Sequence, residues 1–298
     1  METRASLDLQ RQFFAEEIEA IARLKTPPLV AALAAVPRER YLPPGPWTTL
    51  GDVDIVAGGI SGSPAKHVTT PDADPRRVYH NIGIAIDPTR QLFNGQPSTL
   101  AAWIDALGLS PGKRVLHIGA GLGYYTAVMA HAVGPTGRIV AYEVDDALAS
   151  AARTNLSQYP WVDLRHGDAS GPIDGSFEAI LVNAGVTHPL GSWLDALAAD
   201  GKLMLPITGA MPAMGSTIGK GLVFLVTKHA AGELAARVFT FVAIYSALGV
   251  RDEQMSERLG KAMMGGPQKW QAVTRLRRDA HDQTETCWLH GATFCLSA

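Results

Sequence analysis

Residues Val115-Leu116-His117-Ile118-Gly119-Ala120-Gly121-Leu122-Gly123-Tyr124-Tyr125 constrain the fold more than any other stretch of this chain. They read as a short apolar strand, a glycine turn and a helix that begins near Tyr124 and runs through Ala127, Val128 and Ala130 towards Val133. A buried strand ending in Gly-x-Gly-x-Gly lets the backbone pass close to a ligand, because a Cβ at those positions would collide with it. The helix that follows directs unpaired N–H groups and its positive end at the same place, which suits a carboxylate or a phosphate.

Strands and helices alternate after the turn. Arg138 to Glu143 reads as a strand, Asp146 to Leu156 as a helix, and Val162 to His166 and Phe177 to Asn183 as strands. A helix over Trp193 to Ala198 and a strand over Gly201 to Ile207 follow. Such alternation predicts an α/β fold with a mainly parallel, seven-stranded sheet and helices on both faces. Leu222 to Thr227 and Arg237 to Tyr245 are expected to close it as an antiparallel pair, two helical pieces to occupy 252–278, and one strand to run from Cys287 to Leu296. Before the turn, 6–35 has helical spacing, Ile82, Ile84 and Ile86 alternate as a strand, and Ser98 is the expected N-cap of a helix ending at Leu107. Residues 44–78 are rich in Gly, Pro, Ser, Thr and Asp without periodicity, a pattern that marks a lid, a binding loop or a disordered stretch. The expected organisation is an N-terminal helical and lid segment over 1–78, a core over 79–250 and a C-terminal extension over 251–298.

Composition narrows the function. The 298 residues are 47% hydrophobic and 18% charged, with a net charge of −2, which argues against a chain built to neutralise a nucleic-acid backbone. Neither a membrane-length apolar run nor a signal-peptide layout is present, so no membrane partner and a cytoplasmic location are expected. The cysteines, Cys287 and Cys295, match neither a disulfide framework nor a metal spacing. They read as alternate buried positions on one terminal strand, and no metal is expected. The dinucleotide fingerprint requires a glycine at the sixth position, which here is Tyr124. Glycines at 119, 121 and 123 instead have the spacing seen in S-adenosylmethionine (SAM) methyltransferases.

Glu143 ends the second strand, 20 residues after Gly123, where a carboxylate accepts hydrogen bonds from ribose hydroxyls. Gly119, Ala120, Gly121 and Gly123 form the turn beneath the cofactor, with Val144 next to Glu143. Asp168 and Ala169 follow the third strand, where Asp168 either accepts from the adenine amino group or only forms a turn. Asn183 ends the fourth strand and holds the methionine part or the acceptor, or is a turn former. His117 meets the cofactor's amino-acid end or is a core histidine. His80, His166 and His188 are candidate general bases, with His188 favoured because Thr187-His188-Pro189 directly follows the fourth strand. Arg275, Arg277 and Arg278 read as a solvated helix face.

The order of segments resembles the protein-L-isoaspartate O-methyltransferase family over roughly 29–210. The resemblance rests on Ala35-Val36-Pro37-Arg38-Glu39-Arg40-Tyr41-Leu42-Pro43, on Tyr79 before a short strand, and on Gln96-Pro97 opening a helix. It continues through Leu109 to Tyr124, Gly167-Asp168 and Gly201 to Ile207. It implies a Rossmann-like class I methyltransferase that binds SAM, with Gln96 on the cofactor side and Tyr79 near the acceptor, and methyl transfer to a carboxylate. Family members carry a hydroxyl residue immediately before the Gln-Pro that helps hold the isoaspartyl carboxylate. Here that position is Gly95, leaving Asn94 or Ser98 as substitute donors. His117 also replaces the usual acidic residue.

The leading expectation is a SAM-dependent methyltransferase with an altered acceptor site, acting on a small metabolite or modified peptide. The second is a protein or peptide (iso)aspartyl carboxyl O-methyltransferase, and the third a non-catalytic SAM-binding or interaction module. The lid over 47–78 and the C-terminal extension are expected to enclose the acceptor. The residues leave the oligomeric state open.

Overall fold

The computed structural model describes residues 2–50, 67–210 and 217–298. The chain forms two compact units, Met1–Lys113 with Ala120–His166, and Arg114–Gly119 with Gly167–Ala298.

The first unit opens with helices α1 (Glu2–Ala22) and α2 (Pro27–Ala35). Pro27 and Pro28 start α2, where a missing N–H breaks no helical bond. The preceding N–H groups of Lys25 and Thr26 donate to the Asp105 carboxylate at 2.9 and 2.8 Å. Phe14, Ile18, Leu29 and Leu33 are fully buried between these helices and their neighbours. Strands β1 (Thr48–Leu50), β2 (His67–Thr69), β3 (Gly83–Asp87) and β4 (Leu92–Phe93) make a small antiparallel sheet in the order β2-β1-β3-β4. The expected lid thus has two ends that pair within this sheet, whereas 51–66, its middle, lies outside the described residues.

Helix α3 (Pro97–Leu107) is capped at Gln96 and not at Ser98 as the sequence suggests. Pro97 sets the first helical φ, and the Asn81 side chain accepts the Ser98 N–H at 2.9 Å, a long-range cap that spacing alone does not reveal. Strand β5 (Arg114–Ile118) belongs to the second unit, and the chain re-enters the first for α4 (Tyr124–Val133), β6 (Arg138–Glu143), α5 (Asp146–Asn155) and β7 (Val162–His166). β6 and β7 pair in parallel with Ala141 opposite Leu164. Asp145 caps α5 by accepting the Leu148 N–H at 2.9 Å.

The second unit contains β5, β8 (Phe177–Val182), α6 (Gly191–Ala196), β9 (Leu197–Ala210), β10 (Ile218–Lys228) and β11 (Leu234–Tyr245). It continues with α7 (Glu253–Met264), α8 (Pro267–Gln271), β12 (Arg275–Arg277), β13 (Cys287–His290) and β14 (Cys295–Ser297). Its strands lie in the order β13-β14-β12-β11-β10-β9-β8-β5. Among the named strands of the described residues in this unit, β5·β8 and β8·β9 pair in parallel and the pairings from β9 outward are antiparallel. The sheet of this unit is therefore mixed: β9, β10 and β11 follow one another in antiparallel register, which includes the expected pair of Leu222–Thr227 with Arg237–Tyr245. Leu203 to Leu205 and Leu222 to Val226 are continuous buried apolar runs, as strands covered on both faces must be.

Three further expectations change. Leu197 and Ala198 begin β9 and do not end the preceding helix. Arg275-Leu276-Arg277 is a strand with Leu276 buried, a period of two where a helix face was read. The terminal strand is two strands, with Cys287 on β13 and Cys295 on β14.

A cation anchors the first unit. Arg38 has no exposed surface, and its guanidinium donates to the carbonyls of Val78 at 2.6 Å, His80 at 3.1 Å and Ile82 at 2.8 Å. Removing it leaves one buried and two part-buried carbonyls without this donor, at about 1–3 kcal/mol for each one that water cannot reach. Arg38→Ala should therefore lower the unfolding free energy by about 3 kcal/mol or more in urea titration, and Arg38→Lys, with its single ammonium, should recover only part of that.

Candidate active site

Within the first unit the glycine turn is tied to the end of β6 by one side chain. Glu143 is 6% exposed, and each carboxylate oxygen takes one backbone N–H, Oε2 from Gly121 at 2.7 Å and Oε1 from Asp145 at 3.0 Å. Burial raises its pKa, and the N–H donors of Asp145, Gly121 and Val144 oppose that rise. The remaining lone pairs can accept two hydroxyl groups of a ligand. Ala120, buried, donates its N–H to the Tyr142 carbonyl at 3.0 Å, and Val144 is partly exposed beside Glu143. Gly123 has φ +93°, and a Cβ there would stand 3.0 Å from Leu156 Cδ1. What forbids a side chain at Gly123 is the left-handed backbone and the chain's own packing, a different cause from the ligand collision read in the sequence. Helix α4 starts at Tyr124 with no side-chain cap, so the N–H groups of its first turn suit an anionic group.

The β3–β4 hairpin is held against this end of β6. Arg90, on its turn, donates to Asp87 and to Asp145, both at 2.6 Å, and a Cβ on Gly121 would lie 3.4 Å from Ile86 Cδ1. The Arg90–Asp145 contact spans 55 residues and leaves no local pattern in the sequence. On the same hairpin Asn94 Oδ1 accepts the Ile84 N–H at 2.9 Å and an Arg38 N–H at 3.3 Å. Two donors on one oxygen settle the amide orientation, so Nδ2 is a buried donor with no partner among the described residues. Gly95 has φ +81°, and a Cβ there would meet Leu100 Cδ2 at 2.7 Å, so a serine at this position would be strained. Gln96 is the N-cap residue of α3.

Tyr79 was an acceptor-side candidate, and the structure assigns its hydroxyl elsewhere. It is 1% exposed, donates to the Glu39 carboxylate and accepts the Arg38 N–H at 3.1 Å. Burial and the carboxylate raise its pKa, which removes it as a base. His80 is exposed, and His166 is exposed with Nε2 donating to the Val144 carbonyl at 3.0 Å. The Val-Pro-Arg-Glu segment thus has a physical reason: Arg38 and Glu39 hold the loop that precedes the hairpin.

In the second unit, Gly119 accepts weakly from Asn183 Nδ2 at 3.5 Å, and the Asn183 N–H donates to the Ile118 carbonyl at 2.8 Å. A Cβ on Gly119 would stand 3.1 Å from the Asn183 carbonyl oxygen. Asp168 Oδ1 accepts from the Ser170 N–H at 3.0 Å and hydroxyl at 2.7 Å, which lowers its pKa; this is the turn-forming geometry, and Oδ2 is left for another donor. Ala169 sits at φ +54°, uncommon for a residue with a Cβ, pinned by Trp193 Nε1 donating to its carbonyl at 2.9 Å. His188 is half-buried, with Nδ1 2.9 Å from Thr187 Oγ1 and its ring stacked on Phe294. Burial lowers its pKa, opposed by Asp252, so a neutral imidazole is available there near neutral pH.

His117 is fully buried, and burial lowers its pKa to about 3, so it is a neutral core histidine. An unfolded imidazole titrates near 6.5. Between those values the unfolded chain binds a proton that the folded chain refuses. The contribution is therefore whole above about pH 6.5 and is lost on acidification towards 3, at up to about 1.4 kcal/mol per pH unit. His117→Gln should flatten that part of the acid limb when urea unfolding is compared at pH 7.5 and 5.5.

Comparison with known proteins places this geometry. The family model described as Protein-L-isoaspartate(D-aspartate) O-methyltransferase (PCMT) matches residues 65–221, just over half of the chain. A protein-L-isoaspartate O-methyltransferase of Methylorubrum extorquens is 31% identical over 248 residues, covering 79% of this chain and 89% of that protein. One of Methanopyrus kandleri is 35% identical over 151 residues, covering 48% of this chain and 64% of that protein, slightly under two thirds of its length. Among solved structures, a protein-L-isoaspartate O-methyltransferase superposes with a TM-score of 0.59 at 22% identity, covering 84% of this chain and 69% of that one, so the α/β fold is shared. With Glu143 and the glycine turn inside the matched region, this chain belongs to the protein-L-isoaspartate(D-aspartate) O-methyltransferase family.

Proposed function

We propose that this protein is a SAM-dependent methyltransferase that esterifies the side-chain carboxylate of an isoaspartyl or aspartyl residue in a protein or peptide. The observation that carries the cofactor half is Glu143, a buried carboxylate whose two oxygens each hold one backbone N–H and keep lone pairs for two ribose hydroxyls. The uncapped first turn of α4 suits the carboxylate of the methionine part. When bound, SAM supplies a methyl group made electrophilic by its sulfonium. Within the second unit, Asp168 is assigned through Oδ2 to the adenine amino group, with Ala169 beside it as an apolar neighbour, and Asn183 to the methionine part.

The acceptor class rests on family membership and on relatives named for isoaspartate methylation. It displaces the small-metabolite expectation, which none of these relatives supports. A carboxylate is already anionic and needs no general base, so neither His188 nor His80 is required to take a proton. What it needs is a donor that fixes its lone pair in line with the methyl and a cover that excludes water. Gly95 has no side chain to offer, and Asn94 Nδ2 is the donor the hairpin retains in place of a hydroxyl.

Labelled methyl transfer to an isoaspartyl peptide and its aspartyl twin tests the reading, with base-lability identifying the ester. One of the two should be labelled, and absence of label on both while SAM still binds would overturn the acceptor assignment. Glu143→Ala should weaken SAM binding by about two orders of magnitude, the loss of two hydrogen bonds to a charged group. Asn94→Ala should lower kcat/KM for the peptide by about tenfold and leave SAM affinity unchanged, a split that separates the two halves of the site.

A further inference from the structure

The C-terminal segment from β12 onward lies beyond the matched family region and holds a cluster that the reaction does not use. The metal-binding atoms of His281, Cys287, His290 and Cys295 all lie within 4.8 Å of one another. Cys287 and His290 come from β13, Cys295 from β14 and His281 from the irregular stretch between β12 and β13. From this arrangement we propose that the four side chains bind one zinc ion in a closed tetrahedral Cys2His2 site that staples the C-terminal hairpin to the preceding loop.

The donor set and spacing fit the metal. Zn–S bonds near 2.3 Å and Zn–N bonds near 2.0–2.1 Å place the ligand atoms of a tetrahedron about 3.3–3.8 Å apart. His281 Nε2 and Cys287 Sγ are 3.5 Å apart. Two thiolates with two imidazoles in a tetrahedron favour zinc over the harder divalent ions.

The surroundings supply what a zinc site needs. His281 Nδ1 donates to the Asp279 carbonyl at 2.9 Å, which holds the ring in the tautomer whose Nε2 lone pair is free for the metal. The Thr284 N–H donates to Cys287 Sγ at 3.3 Å, the kind of donor that a metal-bound sulfur takes. His290 Nδ1 is buried and has no hydrogen-bond partner among the described residues, which a metal bond would explain. Both cysteines are free thiols, with Cys287 8% and Cys295 0% exposed, protected from solvent as structural ligands are.

The topology explains why the spacing did not announce the site. His-x5-Cys-x2-His-x4-Cys interleaves the ligand types, unlike a pair of cysteines followed by a pair of histidines. Antiparallel pairing of β13 with β14 sets His290 opposite Cys295, and the loop from β12 returns His281 to the same end. Four protein ligands leave no open position for water or substrate, so the role is structural.

The test is metal content of the full-length protein freed of any affinity tag. Purified protein should carry about one zinc per chain by elemental analysis. After chelation and cobalt loading it should show the visible bands of tetrahedral cobalt with a near-ultraviolet thiolate-to-metal band. Cys295→Ser and His281→Ala should each weaken zinc affinity by about tenfold or more. Should either variant fail to fold, the cobalt spectrum of the unsubstituted chain decides alone. A folded protein that takes up neither zinc nor cobalt, with both thiols reactive, overturns the proposal. So does intact mass lower by two hydrogens under non-reducing conditions, which would identify a Cys287–Cys295 disulfide.

Discussion

A carboxylate that loses its water on folding must find hydrogen-bond donors in the protein, and at Glu143 the backbone supplies them. The Gly121 and Asp145 N–H groups meet its two oxygens, so one side chain fixes the glycine turn to the end of β6 and to the start of α5. Asp145 caps α5 and also receives Arg90 from the β3–β4 hairpin. Lid end, hairpin, turn and helix in the first unit are thus referred to one position. The arrangement leaves Glu143 with lone pairs that the protein itself does not use, the property a ribose-binding carboxylate needs.

The loop before the β3–β4 hairpin is organised by a second buried charge. Arg38 gathers the carbonyls of residues 78, 80 and 82 and one side of Asn94, so the loop and hairpin are positioned by a guanidinium fork and not by regular secondary structure. Irregular backbone carries unpaired carbonyls, and a multi-donor cation satisfies several at once. Gly95 in its left-handed conformation follows from the same packing, since Leu100 occupies the space a side chain would need. A side chain at position 95 is therefore excluded by how this hairpin closes, and Asn94 Nδ2 is a buried donor with no partner among the described residues.

The C-terminal segment solves a different problem. Strands β12, β13 and β14 have three, four and three residues and adjoin the long β11 through the single register pair Ala235–Arg275. Short strands on so slender a connection gain little from ladder bonds, and a cross-link is the usual remedy. Two cysteines and two histidines converging beside that junction supply one in the form of a metal.

The alternation of strands and helices, the glycine turn and the carboxylate after the second strand were legible in the residues because their cause is local. Side-chain period, left-handed glycine and strand-end position are properties of a few consecutive residues. Those features determined the α/β class, the cofactor class and the family resemblance. The roles of Arg38, Arg90 and Asn81, the cap of α3 and the convergence of His281, Cys287, His290 and Cys295 were not legible, whereas the core position of His117 was one of the two readings its strand allowed. Each depends on groups brought together across an intervening chain that carries no trace of the contact. Only the tertiary structure decides which polar side chains lose their water, and so which must find partners, which change their protonation and which stand ready for a ligand.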